Sequence, residues 1–259
     1  MRTQRPRSRS DRQPSRLELQ DTLYSSRNPT RQWIHTRRKE IVEDLLRPCA
    51  GAGRALEVGP GSGVYLPLLA ELSDEVVVTD VDPAYLDRAR EILGDRPGVS
   101  FLADDITCSG LEPGSFDLIL CTEVLEHIPA WRAALASMAR LLRPGGVLVL
   151  STPQPWSPLE LLGKVAFRPG VIRLVRAVYR EAILETGHIS LVSSDRLDRE
   201  LRVHDLHIER RHWSTVYVPV LAEVGGAKAL RIERRLEPLM LQSRPLRALL
   251  WTQYVVARR

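Results

Sequence analysis

The stretch ALEVGPGSGVYLPLL (residues 55–69) predicts a buried strand, a tight turn and the start of a helix. Three glycines, Gly59, Gly61 and Gly63, alternate with other residues along the turn. Glycine lets a backbone approach a ligand closely, because it has no Cβ and adopts φ values that other residues resist. A purely structural βα turn would need only one glycine. The three glycines therefore indicate a turn that binds a ligand.

A dinucleotide-binding turn is the main alternative for these glycines. Its pattern, G-x-G-x-x-G, places a third glycine five residues after the first, and Val64 stands at that position here. The chain reads E-x-G-x-G-x-G instead, with Glu57 two residues before the first glycine. A carboxylate at that point can bind a cationic group such as an ammonium, so Glu57 is a candidate binding residue.

Short apolar runs alternate with helical stretches along most of the chain. This rhythm is typical of βαβ units and a parallel sheet covered on both faces, an α/β fold. In such sheets ligands bind at the carboxyl ends of the strands. The predicted strands are 55–58, 76–79, 99–102, 117–120, 146–151, 207–218 and 249–257, and the predicted helices are 33–47, 65–72, 84–93, 131–142 and 226–241.

Acidic residues follow the next two strands of this pattern. Asp80 closes the second strand, 21 residues after Gly59, and an acid there can accept hydrogen bonds from both ribose hydroxyls. After the third strand, Asp104 or Asp105 could accept from an adenine amine, with Ile106 against the ring. Ammonium, ribose and adenine in this order describe S-adenosylmethionine.

Five blocks of the sequence resemble the class I S-adenosylmethionine-dependent methyltransferases, in particular the families called methyltransferase types 11 and 12. They follow one another in the family's order and together cover about 55–153: LEVGPGSG (56–63), VTDVDPAYL (78–86), FLADDI (101–106), GSFDLILCTEVLEHIP (114–129) and LLRPGGVLVLSTP (141–153). Within the family, CTEVLEHIP and LVLSTP are most similar to the ubiquinone-biosynthesis O-methyltransferase group. The resemblance implies a doubly wound, Rossmann-like sheet of seven strands, mostly parallel with an antiparallel C-terminal strand. A helical cap insertion is expected at about 153–190.

The resemblance also implies roles for individual residues of the cofactor site. Asp80 would hold the ribose, with Val81 beside it. Asp105 would bind the adenine amine between Asp104 and Ile106. The methionine part would contact two residues expected just after the fourth strand, Cys121 and Thr122.

The motif NPTR (28–31) resembles one in the ubiquinone-biosynthesis group whose arginine reaches the cofactor carboxylate. That arginine would be Arg31. The chain departs from the family at Pro60, where a small residue or cysteine usually follows the first glycine.

The candidate catalytic residues lie in TEVLEH (122–127). If Thr122 caps a helix, the side chains of Glu123, Glu126 and His127 fall on one helical face. Acids in a first helical turn are also favoured by the helix dipole alone, so a structural role stays open. In one functional interpretation His127 is a general base.

A second functional interpretation makes Glu123, Glu126 and His127 ligands of a divalent ion. A few methyltransferases with a similar E-x-x-E-H motif use a metal and a later histidine, which here would be His188. No metal is assigned, and both functional interpretations remain open.

The basic balance of the chain comes from its first residues. The net charge is +5, and residues 1–16 hold six arginines and one aspartate. We expect a disordered basic tail at 1–16 and a single domain at 17–259 with balanced charge. This balance and the low aromatic content argue against nucleic acid as the partner. An RNA methyltransferase is the alternative function, which the basic tail and the E-x-x-E-H motif favour. Three cysteines without metal-type spacing and no secretory signal predict a cytoplasmic protein.

The stretch RPGVIRLVRAVYREAIL (168–184) predicts an amphipathic helix in the cap. Its apolar face would carry Val171, Leu174, Val175 and Val178, and its basic face Arg173, Arg176 and Arg180. We expect it to close over the active site and hypothesise peripheral contact with an anionic membrane.

The predicted activity is methyl transfer from S-adenosylmethionine to a small apolar or aromatic acceptor, at a hydroxyl oxygen. The sequence does not indicate an oligomeric state.

Overall fold

The computed structural model describes residues 17, 20, 22, 24–166 and 188–259. The basic tail expected at 1–16 lies outside these residues. So does the whole of the basic amphipathic helix expected at 168–184. Of the cap insertion expected at about 153–190, the structure describes residues 153–166 and 188–190.

Seven strands form one sheet in the order β3-β2-β1-β4-β5-β7-β6. The first five strands in the chain pair in parallel, and β7 is antiparallel to both β5 and β6. This topology confirms the predicted mostly parallel sheet with an antiparallel C-terminal strand. The strands are β1 (Ala52–Val58), β2 (Ser73–Asp80), β3 (Val99–Ala103), β4 (Phe116–Thr122), β5 (Leu142–Pro153), β6 (His207–Ser214) and β7 (Thr252–Arg258).

Eight helices of the described residues connect or cover these strands. They are α1 (Pro29–Leu46), α2 (Leu66–Leu72), α3 (Pro83–Leu93), α4 (Trp131–Leu141), α5 (Pro158–Ala166), α6 (Ser194–Val203), α7 (Pro219–Leu241) and α8 (Arg244–Arg247). Three short 3-10 turns lie at Arg47–Cys49, Ile106–Cys108 and Leu125–His127. The long helix α7 is kinked at Gly226, where φ is 49°. Within the described ranges, no helix is both long and apolar enough to cross a bilayer.

The sheet is covered on both faces, as its nearly continuous apolar strands predict. One cluster packs α1, α2 and α3 against the sheet and contains Leu118 and Leu120 of β4. The opposite cluster packs α4 and α6, and it contains Ile119 and Cys121 of the same strand. This alternation follows from the two-residue period of a strand.

Hydrogen bonds join the carboxyl ends of neighbouring strands into one edge. The Gly59 N–H donates to the Thr79 carbonyl (2.8 Å), and the Asp104 N–H donates to the Asp80 carbonyl (3.2 Å). On the other side of β4, the Glu123 N–H donates to the Ser151 carbonyl (3.0 Å). We call this side of the sheet the carboxyl edge. Because β6 ends and β7 begins there, α7 and α8 are also attached to this edge.

Candidate active site

The glycine turn stands at the end of β1 in a conformation that explains its sequence. Gly59, Gly61 and Gly63 have φ values of 69°, 54° and 74°, in the left-handed region that favours glycine. A Cβ on Gly59 would also lie 2.7 Å from a methyl group of Val124. One on Gly63 would collide with Ile92. The turn is thus held close to its neighbours while its backbone faces the carboxyl edge.

Glu57 lies within β1, two residues before this turn, and is only 1% exposed. Its Oε2 has no hydrogen-bond partner among the described residues. Burial raises the pKa of the Glu57 carboxyl to about 8. A buried carboxylate without a partner is costly, and a bound cation relieves that cost. Glu57 therefore fits the ammonium group of an amino-acid moiety.

Asp80 is the last residue of β2 and points to the same edge. One of its oxygens accepts a hydrogen bond from the Asp82 N–H (2.8 Å). Burial raises the pKa of its carboxyl. Val81, directly after it, is 69% exposed, so an apolar surface lies open beside the carboxylate. The pair offers an acceptor for hydroxyl groups and an apolar wall.

The acids after β3 are partly used by their own loop. Asp105 caps the following 3-10 turn by accepting from the Thr107 N–H (2.9 Å). Asp104 accepts from the Gly110 N–H (3.3 Å) with one oxygen, and its other oxygen is buried without a partner among the described residues. Ile106 is buried in the core cluster beside α4. Both acids remain candidate adenine ligands.

Cys121 and Thr122 are the last two residues of β4, rather than residues just after it as expected. The Cys121 side chain lies in the apolar core. Burial, aided by the nearby carboxylates of Glu126 and Glu123, raises the pKa of its thiol. Thr122 is half-buried at the strand end, which leaves it the better placed of the two to contact a ligand.

The helix expected to begin at Thr122 does not form. Glu123 has a φ of 54°, unusual for a residue with a side chain, and only a 3-10 turn follows before α4 begins at Trp131. Pro129 contributes, because a proline drives the preceding residue, Ile128, out of the helical region. Ile128 is indeed extended. The expectation of three side chains on one helical face was wrong in its geometry.

The carboxylate of Glu123 is bound by residues other than the candidate catalytic groups. It forms a 2.9 Å ion pair with Arg38 of α1 and accepts a hydrogen bond from the Ser151 hydroxyl (2.9 Å). The Arg38 guanidinium also stacks on the Trp251 ring, 4.8 Å from its centre. Sequence reasoning missed Arg38. The signal was its place on the apolar stripe of α1, between Ile34 and Ile41, where a charge requires a partner.

Glu126, His127 and His188 do come together. One ligand atom from each lies within 4.8 Å of the others, and the two imidazole rings are 5.3 Å apart. The backbone holds this arrangement, since the Glu126 carbonyl accepts from the N–H groups of Ile189 (2.8 Å) and Ser190 (2.9 Å). We call these three residues the Glu-His-His cluster. Its members match three of the four residues considered from the sequence, with Glu123 set apart.

The cluster has one buried and one exposed end. Glu126 is fully buried and accepts from the Thr152 hydroxyl (3.1 Å). Burial and the charge of Glu123 raise the pKa of the Glu126 carboxyl well above its usual value. Its Oε1 has no hydrogen-bond partner among the described residues. His127 is exposed, so a molecule at the carboxyl edge would meet its ring first.

His188 is oriented from behind by a second acid, Glu160 of α5. Its Nδ1 lies 2.8 Å from Glu160 Oε1, which also accepts from the Trp251 indole N–H (3.2 Å). Burial alone would lower the pKa of His188. The hydrogen bond and charge of Glu160, with the charges of Glu126 and Glu123, outweigh burial and raise the pKa. Sequence reasoning missed Glu160, which no recognisable motif surrounds.

The NPTR motif acts locally as a helix cap. Asn28 accepts from the N–H groups of Thr30 (2.9 Å) and Arg31 (3.3 Å) at the start of α1. The Arg31 guanidinium forms a 2.8 Å ion pair with Glu223 of α7. Binding a cofactor carboxylate would therefore require that pair to open, and this role of Arg31 stays a prediction.

Comparison with known proteins gives the family of this fold. A family model described as a methyltransferase domain matches residues 30–210. The ubiquinone biosynthesis O-methyltransferase of Xanthomonas campestris pv. campestris strain B100 is 38% identical over 101 residues, which are 38% of this chain and 42% of the relative. The protein of the same name from Xanthomonas euvesicatoria pv. vesicatoria strain 85-10 is 39% identical over 117 residues, 44% of this chain and 48% of the relative. Each match thus spans less than half of the relative's length.

Solved structures agree on the fold. The N-methyltransferase NodS from Bradyrhizobium japonicum WM9, solved with S-adenosyl-L-homocysteine, superposes with a TM-score of 0.57 at 18% identity, covering 94% of both chains. An S-adenosylmethionine-dependent methyltransferase from Mesorhizobium loti gives 0.59 at 17% identity, covering 85% of this chain and 96% of that one. The family match covers more than half of the chain, and the sheet order and the glycine turn agree with it. The chain therefore belongs to the S-adenosylmethionine-dependent methyltransferases.

Proposed function

We propose that this enzyme transfers the methyl group of S-adenosylmethionine to a hydroxyl oxygen of a small apolar or aromatic molecule. The observation that carries the proposal is the Glu-His-His cluster, which lies at the same edge of the sheet as the glycine turn. A hydroxyl is a weak nucleophile until it loses its proton, so oxygen methylation benefits from a base at the acceptor. The name O-methyltransferase of the Xanthomonas relatives supports oxygen as the acceptor atom.

Several residues of the carboxyl edge fit the cofactor. Glu57 would bind the ammonium group, since its buried carboxylate lacks a partner among the described residues. The backbone of the glycine turn would lie along the amino-acid part, and Asp80 would accept from the ribose hydroxyls. When bound, the cofactor supplies a methyl group already activated by its sulfonium.

The remaining cofactor contacts are proposals on the same basis. Asp105 would accept from the adenine amine, with Asp104 and Ile106 beside it. Thr122, with Cys121 behind it, would contact the methionine part. These positions follow the order of strand ends along the carboxyl edge, β3 to β4.

Within the Glu-His-His cluster, His127 is the group that would take the acceptor's proton. It is the exposed member, and Glu126 and His188 lie behind it. A carboxylate at Glu126 would stabilise the imidazolium that forms. Glu160 would hold His188, and with it the back of the cluster, in place.

A divalent cation held by the same three ligands is the alternative way to activate the hydroxyl. One carboxylate and two imidazoles suit several first-row divalent ions, and the spacing of the three ligand atoms allows it. In that case the ion would lower the pKa of the acceptor hydroxyl, and His127 would bind the ion instead of taking the proton.

Methyl transfer to soluble hydroxylated aromatic compounds, followed by mass spectrometry of the product, tests the proposal. We expect His127→Ala to lower turnover about 100-fold or more, while the affinity for S-adenosylhomocysteine stays unchanged. Activity that survives EDTA would support the base, and activity lost to EDTA and restored by a divalent metal would support the cation. Unchanged turnover in His127→Ala would contradict both.

The proposed apolar acceptor is compatible with peripheral contact at an anionic membrane. The cytoplasmic location and the contact through residues 168–184 rest on the sequence and stay predictions. Specificity for the acceptor would come from the segments between β5 and β6.

A further inference from the structure

Helix α7 distributes its charges unevenly. Its three acids all turn into the protein. Glu223 pairs with Arg31, while the carboxylates of Glu233 and Glu237 accept from the backbone N–H groups of Val218 (2.9 Å) and Thr215 (3.0 Å). Each of these acids is therefore bound by an ion pair or a backbone hydrogen bond within the protein.

The cations of α7 turn outward. All four of them are exposed: Lys228, Arg231, Arg234 and Arg235. Because none of the three acids of α7 lies on its outer surface, every charge that α7 itself places there is positive. An ordinary solvated helix would instead mix both signs.

Apolar side chains share this outer surface. Ile232 is 47% exposed and Leu239 is 58% exposed, with Leu236 between them. The positions 228, 231, 232, 235, 236 and 239 are three or four residues apart, so the apolar stripe and the cations Lys228, Arg231 and Arg235 lie on one face. We call this the basic-apolar face of α7.

More exposed apolar side chains lie in the segments attached to the same edge of the sheet. Val220 and Val224 lie in the first turns of α7. Trp156 lies between the end of β5 and α5, and Leu161 and Leu162 lie in α5 itself. Large apolar residues grouped on a surface mark a contact with another apolar phase or partner.

We infer that the basic-apolar face of α7 docks on the surface of an anionic lipid bilayer. Anionic headgroups complement its cations, and the headgroup–acyl boundary accepts half-exposed Ile and Leu side chains. A second copy of α7 would bring the same sign of charge. Residues 168–184 do not complement the charge either, since they carry four arginines and one glutamate.

Single-stranded RNA would match the cations but not the rest of the face. Such RNA is bound by aromatic side chains on which bases stack, whereas this face offers isoleucine and leucine. A bilayer accounts for both the charge and the apolar stripe.

Docking through α7 would bring the enzyme to a membrane-dissolved acceptor, and this consequence rests on the proposed function, in which the acceptor is apolar. Because α7 joins β6 to β7 at the carboxyl edge, the helix would hold that edge near the membrane. The Glu-His-His cluster would then lie close to the bilayer, in which an apolar acceptor dissolves.

Vesicle co-sedimentation tests the inference without any methyl transfer. The full-length chain is used with the six arginines of residues 1–16 changed to Gln, so that the tail does not bind lipid by itself. The test variant also carries Lys228→Gln, Arg231→Gln and Arg235→Gln. The matched control carries Arg196→Gln, Arg199→Gln and Arg202→Gln, three exposed cations of α6, which packs with α4 in a core cluster that contains no residue of α7.

We expect the parent to pellet with phosphatidylglycerol-containing vesicles and not with pure phosphatidylcholine vesicles. The α7 variant should partition roughly 100-fold more weakly, since each cation near an anionic surface contributes about fivefold. The α6 control should stay within about twofold of the parent. Equal partitioning of the two variants, or no vesicle binding by the parent, would overturn the inference. Unchanged affinity for S-adenosylhomocysteine verifies that each variant is folded.

A second variant tests the apolar stripe by itself, with Ile232→Ser, Leu236→Ser and Leu239→Ser. It should bind anionic vesicles at low salt and be released by salt that leaves the parent bound, because only its charges remain. If it matches the parent at every salt concentration, the apolar part of the inference is wrong. Binding of polyuridylate that depends on the α7 cations, without vesicle binding, would instead identify a nucleic-acid surface. None of these outcomes bears on methyl transfer to a soluble acceptor.

Discussion

Arg38 of α1 reaches across the carboxyl edge and forms a 2.9 Å ion pair with Glu123, the residue that turns the chain after β4. Both side chains are largely buried. Glu123 holds a φ of 54°, a backbone conformation that persists only where the surroundings enforce it. The ion pair therefore fixes the turn that presents the Glu-His-His cluster.

The first prediction concerns this pair. Arg38→Met leaves a buried carboxylate without its partner and should lower the free energy of unfolding by about 3 kcal/mol. The double variant Arg38→Met/Glu123→Gln removes both charges and should recover at least half of that loss. Urea denaturation of the wild type, the two single variants and the double variant measures the coupling. Additive losses would show that the pair does not act as a unit.

The second prediction concerns the ribose. Asp80→Ala should weaken S-adenosylhomocysteine binding by about 1.5–3 kcal/mol, through lost charge-assisted hydrogen bonds. Calorimetry on Asp87→Ala, an exposed acid of α3, provides the matched control and should equal the wild type. Equal affinity in the wild type and Asp80→Ala would remove the ribose assignment. Binding of NAD in place of S-adenosylmethionine would contradict the cofactor.

The third prediction uses the pKa of Glu57. Burial raises this pKa to about 8 in the folded chain, against an ordinary 4.5, so between these values the folded state holds a proton that the unfolded state has lost. Stability without cofactor should therefore fall as the pH rises from about 5 to 8, by at most about 1.4 kcal/mol per pH unit for this group. Melting curves should show a shallower fall in Glu57→Gln. Equal slopes would mean that Glu57 is already ionised.

Cofactor binding gives the same group an independent readout. An ammonium beside Glu57 favours the carboxylate, so binding of S-adenosylhomocysteine at neutral pH should release a proton. Calorimetry in buffers of different ionisation enthalpy measures that release. The release should be smaller in Glu57→Gln, and an equal release in both proteins would assign the proton to another group.

Much of the candidate cofactor site could be located from the sequence, because the strand ends that build it depend on local patterns. A parallel strand ends where its apolar run ends, and the residues that follow meet at one edge of the sheet. Glu57, Asp80 and the pair Asp104 and Asp105 were placed at the strand ends in this way, and their roles toward the cofactor stay predictions. Glycines with positive φ leave a similarly clear mark, as at Gly59.

The Glu-His-His cluster could be predicted only in part, because contacts distant in the sequence build it. The helix expected at Thr122 gave way to a turn held by Arg38 and Ser151. Helical spacing therefore wrongly placed the side chain of Glu123 on one face with Glu126 and His127. Glu160 carries no sequence signal, since its role depends on the fold bringing it to His188.

The last prediction concerns Glu160, which we expect to be a positioning residue. Its carboxylate bonds His188 Nδ1 (2.8 Å) and is among the groups that raise the pKa of that histidine. Glu160→Gln keeps the size of the side chain and removes its charge, so the pKa of His188 should fall. NMR titration of the histidine rings measures the change. His212, whose pKa is lowered by burial and by Arg37, serves as an internal control whose pKa should stay the same.

Turnover should fall about 10-fold in Glu160→Gln, because His188 no longer supports the cluster, while affinity for S-adenosylhomocysteine stays the same. A His188 titration identical in both proteins would contradict the hydrogen bond to Glu160, and lost cofactor affinity would show a merely structural role.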